Sequence, residues 1–505
     1  MSADNFRVKL ISPFIQQVKS PKYYSHDLYN YLSYGMGTIT AYLRQKHFYV
    51  EQEDLSLRFN AGNVDGIHGE DDQITLIDKY IDSGALRDFG LIGVSVYSRP
   101  HFSTGLLLAK QIKKRINTPI VFGGAFMTLY GHLYPELFDF VDYAIVGDGM
   151  PPLLRLIEHL QGKVSLSDIP NLTYKDKERI ITNTRQYYPI EDMPVPDFDG
   201  LPIELYRKKD LKGNNLLLLP YQTSRGCANK CTFCNNCNIS HKIEYKTYNK
   251  IISELKLMKA RYDNVMFDFC DDTINNSSSH LNNLMDKLIE SNLDIKWMAR
   301  TKIGNLDDCL LKKMRQAGCQ ILIFGVESGS SKVLKMMGKN FTPNQAGQAL
   351  RHAHESGIVT IILLVGGYLY ETGKDIRKTI DFVILNKDHI DYFSLMSFVL
   401  LYGSPIYFNP DKYGVTNMSH TEWRHRFKFD EAGALKWKDK VKQQKKNEEK
   451  VFRALYRYVR LPKERKGIKL FIAIVRFDLF NMVRKPQRLM RKAFGRHEGV
   501  LLLRK

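Results

Sequence analysis

A chain of 505 residues with 44% hydrophobic, 25% charged and 11% aromatic content is too apolar for a disordered protein and lacks the periodicity of collagen or a coiled coil. Its length suits about three domains, each with its own core. The net charge of +20 would point to an anionic partner if it were spread evenly, but residues 431–505 hold 23 Lys and Arg against 7 Asp and Glu, a net of +16, which leaves +4 for the first 430 residues.

The first 20 residues mix Asp, Arg, Lys and Pro without an apolar core or small-residue cleavage site, so a cytoplasmic chain is expected. β-Branched runs at Val8–Pro13, Leu91–Tyr97, Pro119–Phe122 and Tyr143–Val146 alternate with helical spacing such as Thr104–Ile116. That alternation predicts an α/β fold over residues 1–164: a doubly wound, Rossmann-like parallel sheet. Its strands end in Ser95-Val96-Tyr97-Ser98, Gly123-Gly124-Ala125 and Gly147-Asp148-Gly149, the edge where such sheets bind ligands. One such loop reads equally well as turn chemistry; three in register favour a ligand. No G-x-G-x-x-G follows the first strand, so a dinucleotide site is not supported. Pro170, Pro189, Pro194, Pro196 and Pro202 mark residues 165–214 as an ordered linker, with an extended stretch at Asn171–Thr184.

The strand Leu216–Leu219 leads into a loop that places Cys227, Cys231 and Cys234 in C-x3-C-x2-C spacing. All seven cysteines follow residue 226, four of them within Cys227–Cys237. An odd, clustered set suits a metal site in a reducing compartment better than a disulfide framework. Three thiolates on a cubane of four irons and four sulfides leave one iron open to a substrate or cofactor. Cys237 supplies the alternative, a four-cysteine zinc knot. Further strands at Val265–Phe269, Ile295–Ala299, Gln320–Val326, Thr360–Val365 and Tyr392–Phe398, each after a helical segment, predict a partial (β/α)6 barrel over residues 215–410. Its functional groups belong at the carboxyl ends of the strands, with the cysteine loop.

Residues 411–505 read as helical and basic, with Trp423, Trp437, Tyr456 and Tyr458 among many cations. Ile468–Met482 pairs apolar residues with the run Arg484, Lys485, Arg488, Arg491 and Lys492. Two readings stand: peripheral contact with the inner face of an anionic membrane or with an acidic substrate, and the solvated face of a helical cap. No nucleic-acid recognition module is visible, so that partner is not expected, and no apolar run approaches the roughly 18 residues that span a bilayer.

Taken in order, these motifs resemble the cobalamin-binding radical S-adenosylmethionine (SAM) enzymes, also called class B radical methyltransferases. The resemblance covers roughly residues 5–410: "VDYAIVGDG" at 141–149, "MPVPDFDG" at 193–200, the cysteine loop, "FDFCDDT" at 267–273, "FGVESGS" at 324–330 and "LLVGGYLYET" at 363–372. It implies a [4Fe-4S] cluster on Cys227, Cys231 and Cys234, with SAM chelating the open iron and cleaved to a 5′-deoxyadenosyl radical. Asp271 and Asp272 would accept from the methionine ammonium, and Arg300 would pair with its carboxylate. Glu327 would meet the ribose, Phe233 would lie next to the adenine, and Gly366-Gly367 would reach the adenine edge. Plainer roles remain open: Asp271 and Asp272 as helix caps, and Arg300 with Glu327 as an interior ion pair.

By the same resemblance, Ser95, Tyr97, Ser98, Gly123, Gly124, Gly147, Asp148 and Gly149 would surround cobalamin; the other reading is an empty relic domain. The D-x-H-x-x-G motif that supplies an axial histidine in many cobalamin proteins is absent. "DGIHG" at 65–69 has different spacing, and His68 is read as a surface residue. Some family members also lack that histidine. A methylthiotransferase would carry three more cysteines in its front domain, where residues 1–226 contain none. The expected activity is methyl transfer through cobalamin to an unactivated carbon of a small-molecule, lipid or peptide substrate, with flavodoxin or ferredoxin as electron donor. Alternatives are cyclisation, ring contraction or carbon–carbon coupling, and a non-catalytic corrin and cluster carrier.

Overall fold

The computed structural model describes residues 6–14, 31–60, 70–209, 215–236, 239, 242–304 and 306–458. His68, Cys237 and Ile468–Met482 with its cationic continuation lie outside the described residues. The chain forms two compact units, Met1–Arg207 and Lys208–Lys505. Among the described residues no helix is long and apolar enough to cross a membrane.

The first unit is built on seven strands: β1 (Arg7–Ser12), β2 (Tyr49–Asp54), β3 (Leu91–Ser95), β4 (Ile120–Gly123), β5 (Tyr143–Ile145), β6 (Leu172–Asp176) and β7 (Arg179–Thr182). Their order is β2-β1-β3-β4-β5-β6-β7. The first five run parallel and β6 and β7 antiparallel. Val8, Leu10, Leu91, Ile92, Val94, Ile120, Val121 and Phe122 are all buried, the near-continuous apolar pattern of a sheet covered on both faces. The order reverses between β1 and β3, and ligands of such sheets bind at that switch point. The loop Val96–Ser98 leaves β3 there.

Two differences from the sequence reading have clear causes. Strand β2, with sequence YVEQED, looks like a solvated segment, yet its acids meet a cation. Lys9 on β1 is 1% exposed, lies opposite Glu51 in register, and pairs with Glu51 and, at 2.7 Å, with Glu53. The linker expected at 165–214 is also largely part of the first unit. Its extended stretch is the β6–β7 hairpin, which adds buried Leu172 and Tyr174 to the sheet edge, and Phe198 in the proline run is fully buried. The division falls at Arg207.

In the second unit, β8 (Lys208–Lys209) pairs antiparallel with β9 (Asn215–Tyr221), and short β10 (Ser224–Arg225) pairs with β11 (Glu244–Tyr245). Then follow β12 (Val265–Phe269), β13 (Trp297–Thr301), β14 (Cys319–Glu327), β15 (Val359–Gly366) and β16 (Tyr392–Ser397). The sheet order is β16-β15-β14-β13-β12-β9-β8, so six parallel strands lie side by side in chain order, as a partial barrel requires. Helices Tyr248–Arg261, Ser278–Glu290, Asp308–Gln316, Pro343–Glu355 and Gly373–Leu385 connect or follow them. Tyr221, Phe267, Phe269 and Trp297 point to one face, where the Tyr221 hydroxyl donates to Glu254 on the first of these helices at 2.6 Å. By strand alternation Asp268, Arg300 and Gly325 occupy the opposite face.

The region 411–505, which reads as helical, begins instead with strands. Strands β17 (Leu400–Leu401), β18 (Val415–His420) and β19 (Arg426–Glu431) form an antiparallel sheet in the order β17-β19-β18. Phe427 and Phe429, 5% and 1% exposed, alternate with Lys428 and join Val415, Tyr368, Leu369 and Phe398 in one core; a period of two overrides the basic composition. A helix at Trp437–Tyr458 follows. It docks on the ends of β15 and β16: Gln444 Nε2 donates to Gly366 O at 3.1 Å and to Phe398 O at 3.2 Å, and Lys440 Nζ to Tyr368 O at 3.1 Å.

Burial on this helix pushes the Glu448 carboxyl up to about 7 from 4.5. An acid whose folded pKa is raised gives stability that is full below its unfolded value and is lost as pH rises through the folded value, here between 4.5 and about 7. At about 1.4 kcal/mol per unit the loss reaches about 3 kcal/mol. Glu448→Gln is expected to remove it, so thermal melts at pH 5 and pH 8.5 should show the variant gaining on the parent as pH rises. An unchanged difference between the two pH values contradicts the assignment.

Candidate functional site: the cysteine loop and the strand ends

Strand β9 delivers the chain to Thr223, and the β10–β11 pair closes the neck of the cysteine loop, reinforced by the Arg225–Glu244 ion pair at 2.6 Å. Gly226 has φ +93°, and a Cβ there would run into Lys242 O, so the turn needs glycine. The segment after β12 supports this neck. Asp271, 1% exposed, accepts from Thr223 N at 2.8 Å, from Ser224 Oγ at 2.7 Å and from Thr223 Oγ1. Asp272 accepts from Gly226 N at 3.0 Å and Asn236 Nδ2 at 3.2 Å. Asn276 accepts from Ala228 N at 2.9 Å and donates to Gly226 O at 2.7 Å. Neither aspartate caps the following helix; Ser277 does, accepting from His280 N.

The far side of the loop is fastened to more distant chain. Thr232 N donates to Met337 O and Thr232 Oγ1 to Met336 O, both at 3.1 Å. Ile406 N donates to Thr232 O at 3.1 Å, and Asn235 Nδ2 to Tyr402 O at 3.3 Å.

Cys231 is buried, Cys234 half-buried and Cys227 exposed, all as free thiols. Burial raises the pKa of each, that of Cys234 to about 12, and the Cys227 and Cys231 sulfurs add to the rise at Cys234. Lys339 opposes the rise at Cys231 and, with Lys302, at Cys227. Among the described residues no three His, Cys, Asp or Glu gather around a single-ion position. A multi-iron cluster brings bridging sulfides of its own and spans a wider gap.

Arg300 and Glu327 do not pair with each other. Arg300 Nη1 lies 3.3 Å from Asp268 Oδ1, while Glu327 Oε1 accepts from Lys339 Nζ at 3.0 Å. Glu327 has φ +62°, and its Oε1 fills the space beside Gly325, 2.9 Å from where a Cβ would stand. Lys339 Nζ also stands 5.7 Å from the centre of the ring of Phe233, which lies between Cys231 and Cys234 in the chain. Burial works against its charge, yet Glu327 and Cys231 hold its pKa above the ordinary lysine value. The backbone expected to meet an adenine edge is engaged within the protein: Gly366 O accepts from Gln444 and from Phe398 N at 2.8 Å, and Gly367 N donates to Glu371 Oε2 at 2.6 Å. Sequence reasoning missed Lys339, Asn276, Thr223 and Glu371; Lys339 follows a short helix and carries no motif of its own.

In the first unit the eight expected residues collect at the carboxyl ends of β3, β4 and β5. Tyr97 is 51% exposed. The Ser98 hydroxyl meets His101 Nδ1 at 2.9 Å, and burial depresses the His101 pKa to about 4, so its ring is neutral. Ser95 lies opposite Gly123 in register, and a Cβ on Gly123 would meet nothing within 4 Å, an open cradle. Gly124, φ +103°, presses against Val96 O, which a Cβ would approach to 2.7 Å. Gly147, φ +101°, donates its N–H to Thr128 Oγ1 at 2.9 Å and faces Arg185, whose Nε is 2.9 Å from the missing Cβ. Asp148 Oδ2 accepts from Tyr188 N at 3.0 Å, and Gly149 packs near Ile39.

Comparison with known proteins bears on both units. Residues 221–383 match the Radical SAM superfamily. An uncharacterized methyltransferase of Pyrococcus horikoshii is 26% identical over 288 residues, 56% of this chain and 61% of that protein, so the match spans about three fifths of the relative. Among solved structures, the radical SAM methyltransferase TsrM from Kitasatospora setae, with tryptophan and a SAM analogue bound, aligns with a TM-score of 0.64 at 19% identity, covering 82% of this chain and 79% of that one. The cobalamin-dependent radical SAM enzyme OxsB, with aqua-cobalamin and SAM bound, aligns with a TM-score of 0.68 at 16% identity, covering 94% of this chain and 72% of that one. The chain shares their fold.

Proposed function

We propose that this chain, whose residues 221–383 form a Radical SAM superfamily domain, is a cobalamin-dependent radical SAM enzyme that transfers a methyl group to an unactivated carbon of its substrate. The observation that carries the reading is a loop tied down on both sides that presents the free thiols of Cys227, Cys231 and Cys234. Cys227, Cys231 and Cys234 would hold a [4Fe-4S] cluster. When bound, the cluster would supply the electron, and SAM the 5′-deoxyadenosyl radical and the methyl group, that such chemistry needs.

The residues of this chain have distinct tasks in that reading. Asp271 and Asp272 set the loop, with their oxygens already taken by Thr223, Ser224, Gly226 and Asn236. Arg300, balanced by Asp268, offers guanidinium donors to a carboxylate. Glu327 offers an acceptor to a ribose hydroxyl while Lys339 balances its charge. Phe233 supplies an apolar ring beside the adenine. In the first unit, open Gly123 and the positive-φ turns at Gly124 and Gly147 fit a large flat ligand approached by backbone, with Tyr97 and Ser98 at its edge. His101 is buried and bonded to Ser98, so the corrin is assigned no histidine from this loop.

A single-turnover assay tests the function. Anaerobically reconstituted protein with dithionite, SAM and cobalamin should release 5′-deoxyadenosine and pass the methyl group of SAM to cobalamin. Release of 5′-deoxyadenosine without methyl passage favours a non-methylating radical enzyme. Absence of both in cluster-loaded protein favours a carrier.

A further inference from the structure

A buried lysine at the cysteine loop does more than balance the charge of Glu327. Gly338, φ +74°, is pressed so closely on the loop that a Cβ would lie 2.8 Å from Lys230 O. Lys339 N closes the preceding helical turn on Leu334 O at 2.9 Å. The turn therefore aims Lys339 inward, and its side chain is only 10% exposed. There the ammonium lies 3.0 Å from the Glu327 carboxylate and 5.7 Å from the centre of the Phe233 ring, on the cysteine loop. One cation thus stands between a carboxylate and a loop whose thiols turn anionic when they bind metal. Net charge and hydrogen bonds to the sulfurs are what set the potential of an iron–sulfur cluster.

We propose that Lys339, held by Glu327 beside the cysteine loop, is a positioning residue whose charge raises the potential at which the cluster accepts its electron. The proposal rests on the cluster assignment above. The step is a one-electron reduction of the oxidised cluster by an external reductant, with no bond made or broken in the protein. A fixed positive charge beside a sulfur ligand favours the reduced state, because that state carries one more negative charge. Glu327 works in the opposite sense by holding part of the same ammonium.

The test is a redox titration of the reconstituted full chain, with reduction followed by electron paramagnetic resonance in the absence of SAM. Lys339→Met should cut the ratio of reduced to oxidised cluster at the parent's midpoint at least tenfold, a shift of about 59 mV to more negative potential for one electron. Lys339→Arg should stay close to the parent, and Glu327→Gln should move the midpoint in the positive direction. A merely structural lysine would leave the midpoint of the loaded fraction unmoved. Should Lys339→Met fail to load iron, the sign of the Glu327→Gln shift decides: positive supports the proposal, and zero or negative overturns it. A parent that holds a cubane whose midpoint none of these variants changes sinks this inference alone. A parent that holds no cubane sinks the proposed function as well.

Discussion

Cys231→Ser is expected to abolish both iron binding and 5′-deoxyadenosine release, whereas Cys237→Ser should preserve them. Cys231 is the most enclosed of the three thiols, 9% exposed, and its neighbour Thr232 is fastened to Met336 and Met337. A serine hydroxyl is a poor replacement for thiolate on a soft iron–sulfide cluster. Iron and acid-labile sulfide per chain, together with the charge-transfer absorption of the anaerobic protein, report the outcome. Equal damage from Cys237→Ser would revive the four-thiolate site, closing the open coordination position that the function requires.

Asp271→Ala should have nearly as large an effect while leaving every cysteine in place. The carboxylate is the shared acceptor for Thr223 N, Thr223 Oγ1 and Ser224 Oγ in a site 1% exposed. Each buried donor left without an acceptor costs about 1–3 kcal/mol, and all three belong to the neck of the cysteine loop. Cluster content should fall at least tenfold, with a lower thermal midpoint. Asp271→Asn keeps one acceptor oxygen and should lie between parent and Ala. Parent-like iron content in Asp271→Ala would show that the neck holds without this bracket. The same variant separates two roles for the residue: a SAM ligand would lower SAM affinity and spare cluster assembly, whereas the bracket lowers assembly itself.

The six parallel strands of the second unit were legible because each is a short apolar or aromatic run and the last five follow helical segments, and the observed strands match those positions within a few residues. The cysteine trio was legible from spacing. What escaped was anything decided by partners remote in sequence. β2 reads as polar until Lys9 is placed opposite Glu51. The β18–β19 strands hide in a basic segment whose alternation is short, and become visible only when Phe427 and Phe429 meet Tyr368 and Phe398. The position of Asp271 after β12 was readable, but not that the loop's own backbone and hydroxyls donate to its oxygens. Lys339 gave no signal, because a lone lysine after a short helix is ordinarily a solvated one.

The fastening of Thr232 has a bearing on how small a working fragment can be. Its four backbone and hydroxyl latches come from Met336, Met337, Tyr368 and Ile406, roughly one hundred to one hundred and seventy positions downstream. A peptide cut before residue 331 would retain all three sulfurs, and the aspartate bracket too, yet possess only half of the vice that spaces them. Minimal maquettes copied from the C-x3-C-x2-C stretch would therefore inherit its ligands without its geometry.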